Sequence, residues 1–567
     1  MSWLFGVLQK HKQSKFNFEL DEEFQKAELD NLFVAVSNNS KTSFINSTFS
    51  GVSAYVGVPI LEENNKKKLL DKKLLQNIHP NNVNDLFGHF VWLNYSNNVL
   101  ELFTDVFGLR ELYYNDSEKQ FIFSTRIDLL TNYLQNIKIN LKEFSSLWLT
   151  NFQISNKSIF DKIERLGPGG KIIYKNNQLK IINIPFERKK QNATEKMFSE
   201  IVKNYCSIKS SDNRNILLGL SGGIDARTIL SLLNGANIKF NCSTLVNEDK
   251  NDLKVAKRIC ELLDINHFLI YRNKLKLQSA ENKILNFYKN IPPVIPITQL
   301  LDFGYYGSDI LQKHILIDGG FGEFYRMQYL KKLLIKGYKT FNKNKFKLMK
   351  TTLFSPKPEI FDNAVIQKLN KLLNEKITEL LTILRTPKNK TEFAEIADFI
   401  SYNFKLPNTY SAGQIILDQN FLSFMPFAQK DLLNIGMNIS LKEKSDSRLF
   451  KNIIKHNKKE LSKIVLVKNN LINPFPLNDK FVMLKLLFHN KFVKRDNYER
   501  FRVLYNSKNY IYDLVKDTNS DKYFNHSENL IVLNEFFAGN FSQGNYVDWL
   551  TSYILWEKAN KVSMINI

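Results

Sequence analysis

The chain has 567 residues, 43% hydrophobic and 24% charged, an ordinary globular composition with room for about three or four domains. No apolar run reaches the ~18 residues of a membrane span. No basic stretch precedes the short apolar patch at Trp3–Leu8, and Cys206, Cys242 and Cys260 form neither a CxxC pair nor a zinc spacing, so membrane-spanning, secreted and disulfide-framework classes are set aside and a reduced cytoplasm is expected. The net charge of +23 is the excess of Lys and Arg over acids in a Lys- and Asn-rich composition spread over the whole chain, and this weighs against reading it as a nucleic-acid site.

Residues 1–185 predict a β-rich domain, with short apolar strands at Asn31–Val36, Gly88–Leu93, Val99–Phe103 and Gln120–Ser124 separated by turn residues. A polar connector, 186–210, merges into a helix. Strands and helices then alternate. Ile216–Leu220 reads as a buried strand, Ser221-Gly222-Gly223-Ile224-Asp225 as a loop, and Ala226–Leu233 as a helix closed by Asn234-Gly235 in the left-handed manner. Strands at Ile238–Val246, His267–Tyr271 and His314–Asp318 follow, with a helix over Asp252–Leu263. Repeated βα units imply a doubly wound parallel sheet with the ligand at the carboxyl ends of its strands. The two-glycine loop at a helix N-terminus makes an anion cradle, and no Gly-Lys-Ser/Thr follows to make it a Walker loop. A second glycine loop, Asp318-Gly319-Gly320-Phe321-Gly322-Glu323-Phe324-Tyr325-Arg326, comes directly after the fourth strand. Between Tyr329 and Lys350 there are eight lysines and no acid, read as solvated helix faces. Residues 481–567 form a helical, aromatic-rich extension. HExxH does not occur.

Ser221–Asp225 resembles the SGGxD[SAT] PP-loop of ATP pyrophosphatases, which grips phosphates while ATP is cut to AMP and pyrophosphate. Upstream, Gly88–Trp92, Thr104–Tyr114, Phe123–Thr125 and Phe160–Gly170 are similar to successive motifs of class II glutamine amidotransferase domains. Their order and distance resemble the asparagine synthetase B type over roughly residues 1–480. The resemblance implies an Ntn-type α/β/β/α sandwich over 1–185. It also implies an α/β, doubly wound PP-loop domain (adenine nucleotide α-hydrolase-like) over 206–480, with a helical insertion at about 330–420 and an extension over 481–567.

The resemblance implies ATP and Mg²⁺ as cofactors. Nucleotide contacts fall on Leu220, Ser221, Gly222, Gly223, Asp225, Ala226, Asp318 and Gly319, and at the end of the second strand on Thr244 or its neighbour Ser243, which otherwise are core residues. The metal falls on Asp225 and Glu323, with Asp318 the other source of a second carboxylate. Lys468, in a stretch similar to "KxxFxxP", and Glu323 are the catalytic candidates. The departures are equally specific. Ser2 stands at the nucleophile position where the family has cysteine, so a structural glutaminase domain is favoured, as in the β-lactam synthetase branch. Arg326 stands in place of a glycine. Leu422, Phe424 and Gln429 replace acceptor-side charged residues, which argues against aspartate as the substrate. The expected activity is ATP-dependent amide formation on a small-molecule or peptide carboxylate, with ammonia or a substrate amine as nucleophile. No membrane partner is expected, and a homodimer is left open. A glutamine-hydrolysing asparagine synthase, a tRNA-modifying PP-loop enzyme and a non-catalytic pseudoenzyme are the alternatives.

Overall fold

The alternating apolar stretches of the first third form two antiparallel sheets. The computed structural model describes residues 2–11, 16, 19–39, 41–71, 83, 85–183, 186, 188–210, 212–246, 250–271, 276–304, 310, 313–492, 498–516 and 523–562. One sheet runs in the order Glu164–Leu166, Leu112–Asp116, Gln120–Ser124, Leu4–Gln9, Leu32–Ser37, Phe24–Leu29. The other runs Gln178–Asn183, Gly170–Lys175, Val99–Thr104, Phe87–Ser96, Gly51–Glu63, Ser43–Thr48. Side chains alternate across each strand, so one set (Leu4, Val34, Val56, Leu93, Leu102, Phe121 among them) is buried together as the sandwich core. Phe5, Phe33 and Ile122 point the other way, onto helices Ile127–Leu134 and Leu141–Thr150.

The βα alternation downstream gives a five-stranded sheet, ordered His267–Tyr271, Phe240–Val246, Asn215–Gly219, His314–Ile317, Leu422–Phe424, with every neighbouring pair parallel. Strand order reverses direction on either side of Asn215–Gly219, so the crevice for a ligand opens at the carboxyl end of that strand. Helix Ile224–Gly235 extends through Gly235 to an Ala236 cap, and the left-handed residue is Asn237 (φ 52°) rather than Gly235. Gly235 instead packs closely on the neighbouring helix, where a Cβ would lie 2.9 Å from Asn457 Oδ1.

The C-terminal residues complete a second core rather than trailing from the first. Helix Gly544–Asn560 is buried along nearly its whole length and packs with Leu277–Tyr288 and, through Trp549 and Tyr553, with Leu141–Thr150. Trp148 meets Trp549 and Tyr553 edge-on at ring distances of 5.9 and 5.6 Å. Among the described residues no helix is long and apolar enough to cross a membrane.

Lys357 sits in this aromatic core. Its ammonium donates to the Leu147 carbonyl at 2.9 Å and Asn151 Oδ1 at 3.0 Å, over the rings of Trp148 and Trp549, with no carboxylate partner among the described residues. Burial pushes its pKa down from 10.5 to about 7. Above pH 10.5 the amine is neutral whether folded or unfolded. As the pH falls from there, the unfolded chain binds the proton first and stability is lost, down to about pH 7 where the folded amine titrates too. The Tm of Lys357→Met relative to the parent is therefore expected to shift in the variant's favour between pH 9 and pH 7. Calorimetry showing a constant difference over that range would place the amine outside the low-dielectric core.

Candidate active site

At the switch point of the parallel sheet the chain turns through Leu220-Ser221-Gly222-Gly223 into helix Ile224–Gly235. Leu220 N–H donates to the Ser243 carbonyl and Thr244 Oγ1 to the Leu220 carbonyl, both at 2.8 Å, which pins the loop's first residue to the neighbouring strand. The Thr244 hydroxyl also meets His267 Nε2 at 2.8 Å, so it serves the sheet edge. Gly222 has no room for a side chain, because a Cβ would lie 2.5 Å from Val467. The reason is a short hairpin, Leu466–Lys468 paired with Leu471–Asn473 through Asn469-Asn470 at positive φ, docked on the loop by Val467 N–H donating to the Gly222 carbonyl at 3.0 Å. The fully buried Arg227 fastens the two together. It donates from Nη2 to the carbonyls of Gly222 (3.1 Å) and Val465 (2.7 Å), and from Nη1 to that of Ile464 (2.8 Å). Lys468, far away in sequence, is thereby placed beside the loop.

Part of the anion cradle is filled by the protein itself. Gly222 N–H donates to Asp252 Oδ1 at 2.6 Å, and Gly223 N–H to Ser221 Oγ at 3.2 Å. Asp252 comes from the first turn of helix Lys250–Leu263, and its carboxylate takes a position suited to an anion.

The second glycine loop lies directly over the helix N-terminus. A Cβ at Gly319 would stand 2.7 Å from Ala226 N and 2.8 Å from Asp225 Cβ, and one at Gly322 only 2.5 Å from Asp225 Oδ1. That approach delivers Arg326, whose Nε and Nη2 donate to the two oxygens of Asp225 at 2.7 and 2.5 Å. Burial nonetheless outweighs the guanidinium's pull and pushes the Asp225 carboxyl up to about 6. Glu323 turns elsewhere, its Oε2 accepting from the hydroxyls of Tyr329 (3.0 Å) and Tyr410 (2.7 Å). Asp318 Oδ1 accepts from Gly320 N–H at 2.7 Å, and burial raises its pKa.

This arrangement engages both of the carboxylates expected to share a divalent ion. Both Asp225 oxygens are taken by Arg326, Glu323 faces a tyrosine pair, and no three His, Cys, Asp or Glu side chains gather to hold a metal among the described residues. Lys468 is brought in. Its ammonium donates to Gln328 Oε1 at 3.2 Å, with no carboxylate in ion-pair range among the described residues, and burial followed by Arg326 and Lys331 lowers its pKa. Arg227, Asp252 and Gln328 escaped the sequence reading, because none belongs to a motif and each acts through backbone groups or through partners distant in sequence. Leu422 and Phe424 are sheet residues, and Gln429 accepts from Gly88 N–H at 3.0 Å, so the altered acceptor positions serve packing between the two halves.

Ser2 lies at a separate place, at the head of strand Leu4–Gln9, and is fully buried. Its hydroxyl donates to the Thr42 carbonyl at 3.0 Å and accepts from Ser43 Oγ at 3.1 Å, while its carbonyl accepts from Arg110 Nη2 at 2.8 Å. Arg110 and His89 meet the fully buried Asp418, which caps helix Leu406–Leu417. His89 Nε2 lies 2.9 and 3.0 Å from its two oxygens, and Arg110 Nη1 is 3.5 Å away. The turn that carries Arg110 is folded around Asp105, whose oxygens accept from the N–H groups of Phe90, Phe107, Leu109 and Arg110. It presents Phe107 to Phe321 of the second glycine loop at a ring distance of 4.8 Å.

Residues 73–185 match a family described as a glutamine amidotransferase domain. No curated protein matches the chain. Among solved structures it is similar to the NMN synthetase from Francisella tularensis, at 17% identity and a TM-score of 0.17, over 37% of this chain and 94% of that one. It is also similar to the glutamine phosphoribosylpyrophosphate amidotransferase from B. subtilis complexed with ADP and GMP, at 9% identity and a TM-score of 0.18, over 42% of this chain and 51% of that one.

Removing Asp418 strands a buried guanidinium and a buried imidazole at the contact between the two halves. Asp418→Ala is expected to cost about 3–5 kcal/mol, read as a drop in the urea midpoint, as breaking a buried pair does. A change within 0.5 kcal/mol or so, the ordinary range of a surface substitution, would mean that the cluster is solvated.

Proposed function

We propose that the chain is an ATP-using, amide-bond-forming ligase of the asparagine synthetase type, acting in two steps on the parallel-sheet half. A carboxylate oxygen of the substrate attacks the α-phosphorus of ATP and pyrophosphate leaves; an amine nitrogen then attacks the acyl carbon and expels AMP. The observation that carries this reading is the convergence of the Ser221–Asp225 loop, the Asp318–Arg326 loop and Lys468 at one end of one strand. The phosphates are received by the backbone of Ser221–Ala226 and the helix dipole, with Asp252 giving up Gly222 N–H as they enter. Lys468 meets the charge that grows on pyrophosphate and at the acyl centre. Glu323, fixed through Oε2, keeps Oε1 to receive the amine's proton. The match over residues 73–185 supports an amidotransferase-like N-terminal half.

Product identity tests the reading. AMP and pyrophosphate should appear in equal amounts with a competent carboxylate, and ADP with phosphate as the stoichiometric products would overturn it. Lys468→Met keeps the stem and removes the charge, so turnover is expected to fall about 10²–10³-fold. ATP affinity, measured by calorimetry, should stay close to that of the parent, since the loop holds the phosphates.

The nitrogen source follows from the closed site at Ser2. A fully buried hydroxyl that already donates to a carbonyl is a poor nucleophile, so ammonia or a substrate amine is the donor. Glutamate release from glutamine should stay at background, and Ser2→Ala should leave amide formation intact. Glutamine hydrolysis abolished by Ser2→Ala would make the N-terminal half catalytic.

A second reading is a nucleotide-binding protein without turnover. It is favoured by Asp252 on Gly222 N–H and Arg326 on Asp225, which occupy the positions that phosphate and cation would take. ATP binding without pyrophosphate release across a panel of carboxylates and amines would select it.

A further inference from the structure

The Arg326–Asp225 contact leaves most of the guanidinium's donors unspent. An arginine has five N–H groups, and Asp225 takes one from Nε and one from Nη2. The Nη1 edge has no partner among the described residues, and the side chain is 10% exposed in the cleft, with its guanidinium 6.0 Å over the Phe450 ring. Two ammonium groups face the same space. Lys468 and Lys331 both donate to Gln328 Oε1, at 3.2 and 3.5 Å, and each repels the other and Arg326 enough to be felt in the Lys468 amine. Gln328 is itself held by Asp479, its Nε2 donating to Oδ2 at 2.6 Å, and Lys331 lies 3.6 Å from the same carboxylate. Two ammonium groups thus converge on one amide side chain, with the Arg326 guanidinium near enough to repel Lys468, beside a loop whose backbone donors already attract the Asp252 carboxylate.

We propose that Arg326 is a nucleotide-binding residue that takes the place of a divalent ion. The triphosphate of the nucleotide is received by the Nη1 edge of Arg326 together with Lys331, with Lys468 kept for the charge that grows on pyrophosphate, and it binds as the free anion. The planar fork suits phosphate oxygens, and Asp225 fixes its orientation before the ligand arrives. This rests on the ATP reading given above but goes beyond it, because it removes the need for a metal-bound nucleotide and assigns Arg326 and Lys331 to the ligand.

The test is ATP binding by isothermal titration calorimetry to the full chain, in excess Mg²⁺ and in EDTA at equal ionic strength. The parent is expected to show dissociation constants within a factor of about three in the two conditions. Loss of charge-assisted bonds in Arg326→Met should weaken ATP about 10- to 100-fold in EDTA. In Mg²⁺ much of that loss should be recovered, since the vacated Asp225 carboxylate can then take the ion. A variant that is merely misfolded would lose affinity equally in both conditions, so the metal dependence separates the two causes. Parent affinity that collapses more than about tenfold in EDTA overturns the proposal while leaving the ATP reading intact, and needs no variant to observe. Failure of the parent to bind ATP in either condition overturns the ATP reading and this inference with it.

Discussion

The bidentate contact of Arg326 with Asp225 sets the shape and the charge of the cleft. Taking two ions out of water is expensive, and the cost is offset only when the geometry is good and the remaining donors find partners. Here the geometry is secured by glycine. Gly319 and Gly322 approach Asp225 and Ala226 N so closely that no Cβ fits at either position. Gly319 and Gly322 therefore serve the ion pair, and they let a loop backbone lie flat on a helix N-terminus. With Asp225 neutralised in this way, the cations that remain, Lys468 and Lys331, face a space in which they lack a full complement of acids. An anion is the natural occupant of such a space.

The N-terminal half takes part in that arrangement through contacts of its own. The turn built on Asp105 is rigid because four backbone N–H groups converge on one carboxylate. Its outward residue, Phe107, packs on Phe321, which itself sits at φ 69° in the second glycine loop and touches Tyr410, one of the two tyrosines on Glu323. A chain of packed aromatic rings thus joins the amidotransferase-like half to the carboxylate proposed to act at the acyl centre. The motif residues of this half earn their places by support of the neighbouring cleft, whatever happens at Ser2, and Asp418 locks the same contact from the other side.

Much of the fold was legible because it is written in short periods. The strands at Gln120–Ser124 and His267–Tyr271 were bounded to the residue, and the βα alternation gave the parallel sheet and the loop at its switch point. What was not legible depends on partners remote in sequence. The hairpin at Leu466–Asn473 is made of two three-residue strands, too short for an alternation signal, and it is an Asn-Asn turn and Arg227 that place it. The partners of the two carboxylates expected to hold a metal were hidden for the same reason. Asp225 and Glu323 each match a carboxylate motif locally, but what a carboxylate does is decided by the group that faces it, and Arg326 and the tyrosine pair become neighbours only in three dimensions. The helix end at Asn237 shows the converse: Gly235 is a fair local stop signal that tertiary packing against Asn457 overrides.

The excess of basic residues bears on function through position and not through number. Along Lys331–Lys343 and Lys345–Leu353, Leu333, Phe341, Leu348 and Met349 are buried, while Lys332, Lys336, Lys339, Lys343 and Lys347 stand exposed on the outer faces. At physiological salt a charge is screened within about 8 Å, so exposed lysines on the far face of a helix add little to the potential in the cleft. Lys331, the first residue of that run, is different: it is drawn inward by Asp479 and Gln328, and the amide it shares with Lys468 fixes where it points. Lys331 therefore reaches the cleft, and it does so because a glutamine and an aspartate hold it there. A charge becomes recognition when its neighbours both desolvate it and fix its direction, and here that condition is met at Lys331, Lys468 and Arg326 together.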